Sequence, residues 1–121
     1  MALQQASDLN GAWRLLSGEF VEENGLVTHY DEAGVSSIKL LIDGHFSFTS
    51  SSTGGFYGCA TGRYEVRDGG EYIESPLLAY NPSMLERQFA FKARLDGDTW
   101  INERWENGLR VELETWQRIR E

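Results

Sequence analysis

Tyr72 and Glu74 stand two residues apart in a β-like run, so alternation puts both side chains on one face of a strand. If that face points inward, a phenol beside a carboxylate in an enclosed space can take and return a proton. Glu74 would then be the general base, with Tyr72 beside it. His45 follows the Asp43-Gly44 turn, which places it at the rim of such a space, where an imidazole could join the proton transfer. The plainer reading of His45 is an exposed residue flanking a turn. Ile73 alone hardly makes a core face, so both orientations of the Tyr72 run stay open.

Other polar residues share faces with aromatics. Trp100, Asn102 and Arg104 alternate along one run, and Glu112, Glu114, Trp116 and Arg118 along another. Turned inward, they would line an aromatic cavity with a few oriented polar groups, as small-molecule sites are built. Turned outward, Arg104, Glu112 and Glu114 would be solvated cross-strand pairs that contribute little. On the last run Leu109, Val111 and Leu113 make the better core face, which favours outward carboxylates. Phe46, Phe48, Tyr64, Phe89 and Phe91 belong to the core, and in a barrel the core and the pocket wall can be the same residues. The candidate ligand-binding set is these five with Trp100, Asn102, Arg104 and Trp116. Tyr72, Glu74 and His45 are the catalytic set if there is turnover.

Several classes of chemistry are excluded. No Gly-x-Ser-x-Gly, phosphate-cradling glycine loop or His-Glu-x-x-His occurs. His29 and His45 are the only histidines, too few with scattered carboxylates to argue a metal site, and no cofactor is expected. Cys59 is the only cysteine, read as a small buried apolar residue. A formal net charge of −8 repels phosphate backbones and anionic membranes, so neither nucleic acid nor membrane is an expected partner. No apolar run approaches the roughly 18–20 residues of a membrane span. The start, Met1-Ala2-Leu3-Gln4-Gln5-Ala6, has no basic segment or long apolar core, so a cytoplasmic location is expected.

The elements that must position these residues are strands. At 121 residues the chain suits one domain, 1–121. Strands are predicted over 12–21, 26–30, 35–42, 45–50, 56–66, 71–80, 87–95, 98–105 and 109–119, after a lead-in over 1–10 that closes the barrel floor. Asp43-Gly44, Asp96-Gly97 and Glu106-Asn107-Gly108 are hairpin signals. Alternation in 12–21 is imperfect, with Trp13, Leu15, Ser17 and Glu19 on one face and Leu16 and Phe20 on the other. In 35–42, Ile38, Leu40 and Ile42 oppose Ser37, Lys39 and Leu41. Pro76 implies an edge or a bulge, and Gly58 and Gly62 imply bends. The expected fold is all-β, an antiparallel up-and-down β-barrel of about eight or nine strands, because closure removes exposed edges.

Four stretches carry a resemblance. They are Leu9-Asn10-Gly11-Ala12-Trp13-Arg14-Leu15; the hairpin from Ile38 through Asp43-Gly44 to Phe48; Asn81-Pro82-Ser83 with Phe89-Ala90-Phe91-Lys92 and Leu95-Asp96-Gly97-Asp98-Thr99-Trp100; and Leu113-Glu114-Thr115-Trp116-Gln117-Arg118-Ile119. In this order they resemble the lipocalin-like, or calycin, group of small bacterial β-barrels. The resemblance implies a barrel whose opening Trp13 plugs one end, with Arg118 stacked over it by a cation–π contact. The chain departs from secreted lipocalins in being shorter and in having no disulfide. Barrels of this kind host binders and enzymes alike.

Three functional expectations follow. The first is a binder of an apolar or aromatic small molecule. The second is a cofactor-independent isomerase, cyclase or dehydratase. The third is an interaction module, in which an unpaired strand or the Trp105 face forms a homodimer.

Overall fold

Tight turns fold the chain back on itself repeatedly. Asp43 and Gly44 both have positive φ, 47° and 81°, as do Asn107 and Gly108, 51° and 79°, the twist that a two-residue hairpin needs. The computed structural model describes residues 3–120. Its strands are β1 (Gly11–Val21), β2 (Val27–His29), β3 (Ser36–Ile42), β4 (His45–Ser52), β5 (Gly55–Arg67), β6 (Glu71–Ala79), β7 (Phe89–Asp96), β8 (Thr99–Glu106) and β9 (Leu109–Arg118). Short 3₁₀ turns lie at Ala6–Leu9 and Pro82–Glu86.

All pairings are antiparallel, and β1 pairs with β9 to close β1 and β3–β9 into a barrel of eight strands. The remaining strand, β2, pairs only with the second half of β1, through Glu19 to Val21. Among the described residues no helix is long and apolar enough to cross a membrane.

Trp13 organises the floor. It is 0% exposed, and its indole Nε1 donates to the Leu9 carbonyl at 2.9 Å. The Arg118 guanidinium stacks 4.3 Å over the Trp13 ring and donates to the carbonyls of Asn10 and Asp8. Tyr64 donates its hydroxyl to the Ala6 carbonyl, so four backbone acceptors of the lead-in, those of Ala6, Asp8, Leu9 and Asn10, are tied to the barrel. Leu3 and Leu9 are buried against this floor. Above it Trp13, Trp100, Trp116 and Tyr72 meet with centroids 5.0–6.0 Å apart.

Bulges decide which residues face inward. Leu16 is extra on β1 opposite β9, which reverses the alternation expected there: Trp13, Leu15, Gly18 and Phe20 point in, and Glu19 points out. Val111 is extra on β9 opposite β8, so Arg104 faces Glu112, Asn102 faces Glu114 and Trp100 faces Trp116. This overturns the outward reading of the β9 carboxylates. Leu77 is extra on β6 beside Pro76, and Tyr57 on β5, so Pro76 does mark a bulge. Gly62 sits where β5 presses on that bulge, and a Cβ there would meet the backbone of Ser75 and Pro76.

Candidate functional site

The site rests on β3, whose polar face is the inner one. Lys39 is 3% exposed and Ser37 is 5% exposed, while Ile38, Leu40 and Ile42 lie on the outside. The hairpin register explains this. Leu41 is paired with Phe46, Lys39 with Phe48 and Ser37 with Ser50, so the face carrying the two phenylalanines also carries the lysine.

Lys39 reaches the Glu74 carboxylate, Nζ to Oε2 at 2.5 Å, with both side chains below 10% exposed. Tyr72, 0% exposed, donates its hydroxyl to the same oxygen at 2.6 Å. Burial and the Glu74 charge hold the Tyr72 hydroxyl well above its ordinary pKa, so it stays a neutral donor. Desolvation works against the Lys39 ammonium, but Glu74, with Glu114 and Glu112 behind it, raises its pKa above the ordinary lysine value. The ammonium also lies 4.9–6.0 Å from the ring centres of Phe46, Phe48, Tyr72, Trp100 and Trp116. It is a cation held by one carboxylate inside an aromatic cage.

Arg104 makes the second pair. Its Nη2 lies 2.6 Å from Glu112 Oε1, and its Nη1 2.5 Å from Glu106. Burial, then the neighbouring Glu114, pushes the Glu112 carboxyl up to about 7 despite Arg104. Glu114 receives only neutral donors: Trp116 Nε1 at 3.1 Å and Asn102 Nδ2 at 3.5 Å, both on Oε1. Tyr30, which follows β2, is raised above its ordinary pKa by burial, then by Glu114 and Glu112. Gly18 admits it, since a Cβ at Gly18 would collide with the Leu113 carbonyl and press on the Tyr30 ring.

Between these groups and the loops opposite the floor lies a cavity of about 380 Å³. Leu15, Phe20, Phe48, Phe89, Phe91 and Trp116 form its apolar wall. Ser37, Lys39, Ser50, Glu74, Glu112 and Glu114 are its polar lining. Val35, Tyr57, Tyr80, Asn81 and Met84 border the mouth, where Tyr57 is 48% and Tyr80 is 68% exposed. Among the described residues no three His, Cys, Asp or Glu side chains are placed to hold a metal ion.

The sequence-predicted residues divide into three groups. Glu74, Phe48, Phe89, Phe91 and Trp116 line the cavity. Phe46, Tyr64, Tyr72, Trp100, Asn102 and Arg104 point inward but are packed behind the lining. His45 is exposed and paired with Ile42 and Arg63 on the outer surface, so the structure does not bring it to Tyr72 and Glu74. Cys59 is half-buried and borders the cavity. Trp105 is half-exposed on the outside.

Lys39, Ser37, Ser50, Tyr30 and Phe20 were absent from the expected site. For Lys39 the signal was present: a two-residue turn at Asp43-Gly44 dictates that it shares a face with Phe46 and Phe48. No protein-family model matches the chain, and no curated protein matches it.

Proposed function

We propose that this barrel binds a small molecule with an apolar or aromatic body in its interior. One observation carries the reading: a cavity of about 380 Å³, aromatic-walled with a few oriented polar groups, open at the end opposite the Trp13 plug. Its size and lining match those of ligand pockets. The same reading places the chain with the lipocalin-like group of small bacterial barrels, on the Trp13–Arg118 closure and the ordered motifs.

Gly58 gives a direct test. It is inward-facing opposite Ser50, and a Cβ there meets nothing within 4 Å. Gly58→Phe therefore fills the cavity without a backbone clash. Native mass spectrometry of protein purified from its own host is expected to show a bound compound, absent from Gly58→Phe. A compound retained in full by a folded Gly58→Phe would refute interior binding.

A second reading, cofactor-free turnover, draws on the chain of hydrogen bonds from Tyr72 through Glu74 to Lys39. Glu74 carries both donors on Oε2, which leaves Oε1 for a substrate proton. Fresh protein incubated with the co-purified compound should then convert it, and Glu74→Gln should stop the conversion. Equal conversion by a folded Glu74→Gln would remove Glu74 from the chemistry.

A further inference from the structure

The charged groups inside the barrel do not balance. Glu74, Glu112 and Glu114 face two cations, Lys39 and Arg104. Lys39 is taken up by Glu74, and Arg104 by Glu112 and Glu106. Among the described residues no cationic side chain pairs with Glu114. A carboxylate enclosed without a counter-charge is costly unless a cation arrives.

The surroundings of Glu114 point the same way. Asn102 is 0% exposed on the inward face of β8, opposite Glu114, and its Oδ1 has no hydrogen-bond partner. Its amide nitrogen is turned to Glu114, which fixes the free atom as the acceptor. Asn102 stands behind the cavity lining, so it leaves Glu114, which does line the cavity, with neutral donors only, and that carboxylate asks for a positively charged group with several N–H bonds. The walls suit one too. The rings around Lys39 already hold an ammonium, and the Trp116 and Phe48 faces of that cage also line the cavity.

We propose that the ligand is an organic monocation, an amine or amidine on an apolar or aromatic body, whose charged head sits against Glu114 and Glu112. This rests on the reading of the cavity as a binding site. A neutral ligand would leave Glu114 unpaired, and an anion would face three carboxylates with both cations already engaged. Among the described residues no three His, Cys, Asp or Glu side chains are placed to hold a metal ion, and the aromatic wall beside Glu114 suits an organic cation. The groups around Glu112 agree: Arg104 and Glu106 on β8, Glu74 on β6, Lys39 on β3, Tyr30 beyond β2, and Glu114 on its own strand. Burial, then Glu114, and further Glu74, push its carboxyl up to about 7 against the pull of Arg104, so it holds a proton near neutrality that an arriving cation displaces.

The test uses one aromatic body with three heads. Naphthylethylammonium, naphthylethanol and naphthylacetate are titrated into the protein and followed by calorimetry and tryptophan fluorescence. The ammonium should bind at least about tenfold more tightly than the alcohol, and the acetate most weakly. Glu114→Gln should bring the ammonium-to-alcohol ratio below about threefold, with melting curves reporting its fold. Alcohol or acetate binding as tightly as the ammonium would overturn the proposal and leave the binding reading standing. A tenfold preference that survives in folded Glu114→Gln would overturn the assignment of the head to Glu114. Binding of none of the three would remove both readings. The wild-type series decides the matter even if the variant does not fold.

Discussion

Lys39→Met removes the cation from a buried pair, and the consequence can be worked from the geometry. At 2.5 Å two unit charges attract by about 6–7 kcal/mol at an effective dielectric of about 20. Burying the two ions costs several kcal/mol each, so the intact pair adds little net stability. Removing one partner is different, because Glu74 stays buried with only Tyr72 as a donor. The expected loss is about 3–5 kcal/mol, or a fall in Tm of about 10–20 °C for a chain of this length. Glu74→Gln should cost less, because the orphaned ammonium keeps its aromatic cage, a contact of about 0.5–2 kcal/mol. The double variant Lys39→Met/Glu74→Gln removes both charges and should return to within about 1–2 kcal/mol of wild type. Urea unfolding of the four proteins measures this cycle. A single variant within about 1 kcal/mol of wild type would refute the buried pair. So would a double variant as damaged as Lys39→Met.

Two further outcomes are expected. Trp13→Ala should cost about 3–5 kcal/mol in urea unfolding, because it empties the floor and strands the Leu9 carbonyl; a loss under about 1 kcal/mol would mean that the indole is not a plug. Glu112 should make stability fall with rising pH. Its folded carboxyl, pushed up to about 7, holds a proton that the unfolded chain releases at ordinary carboxylate pH, so its contribution is best below about pH 4.5 and is lost by about pH 7. The loss is up to about 3 kcal/mol, and Glu112→Gln should flatten it in a pH series of unfolding curves.

The hairpins were legible because turn chemistry is local. Asp43-Gly44 and Asn107-Gly108 take the positive φ that their types favour, and the strands they join follow. The contact of Trp13 with Arg118 was expected only from the resemblance to lipocalin-like barrels, and the pairing of β1 with β9 brings the two together. What alternation could not give was parity. It sorts side chains onto two faces without saying which is inside, and one bulge reverses the answer. Leu16 reverses β1, which put Glu19 outside and Phe20 in the cavity. Val111 reverses β9, and the apolar triplet Leu109, Val111 and Leu113 therefore pointed to the wrong core face. On β3 the apolar residues Ile38, Leu40 and Ile42 are outside because Phe46 and Phe48 fill the interior beside them. Hydrophobicity taken strand by strand loses that competition for space.

The same bulges separate two halves of the barrel. Leu16, Tyr57, Leu77 and Val111 all lie toward the mouth, none in the floor. In the floor half, regular pairing brings Trp13, Trp100, Trp116, Tyr64 and Tyr72 into a filled core. In the mouth half, each extra residue shifts the ladder beside a cavity of the size that an eight-stranded barrel can keep open for one small ligand. Lys39 and Glu74 sit at the boundary, with aromatic rings below and the cavity above. Lys39 and Glu74 hold each other directly, while Glu112 and Glu114 act on the Lys39 ammonium only through their charge. Substitutions at Trp13 and Lys39 are therefore expected to act on folding, and those at Gly58 and Glu114 on what the cavity holds. That division is physical, since the floor is packed with buried rings and the mouth holds a carboxylate that receives only neutral donors.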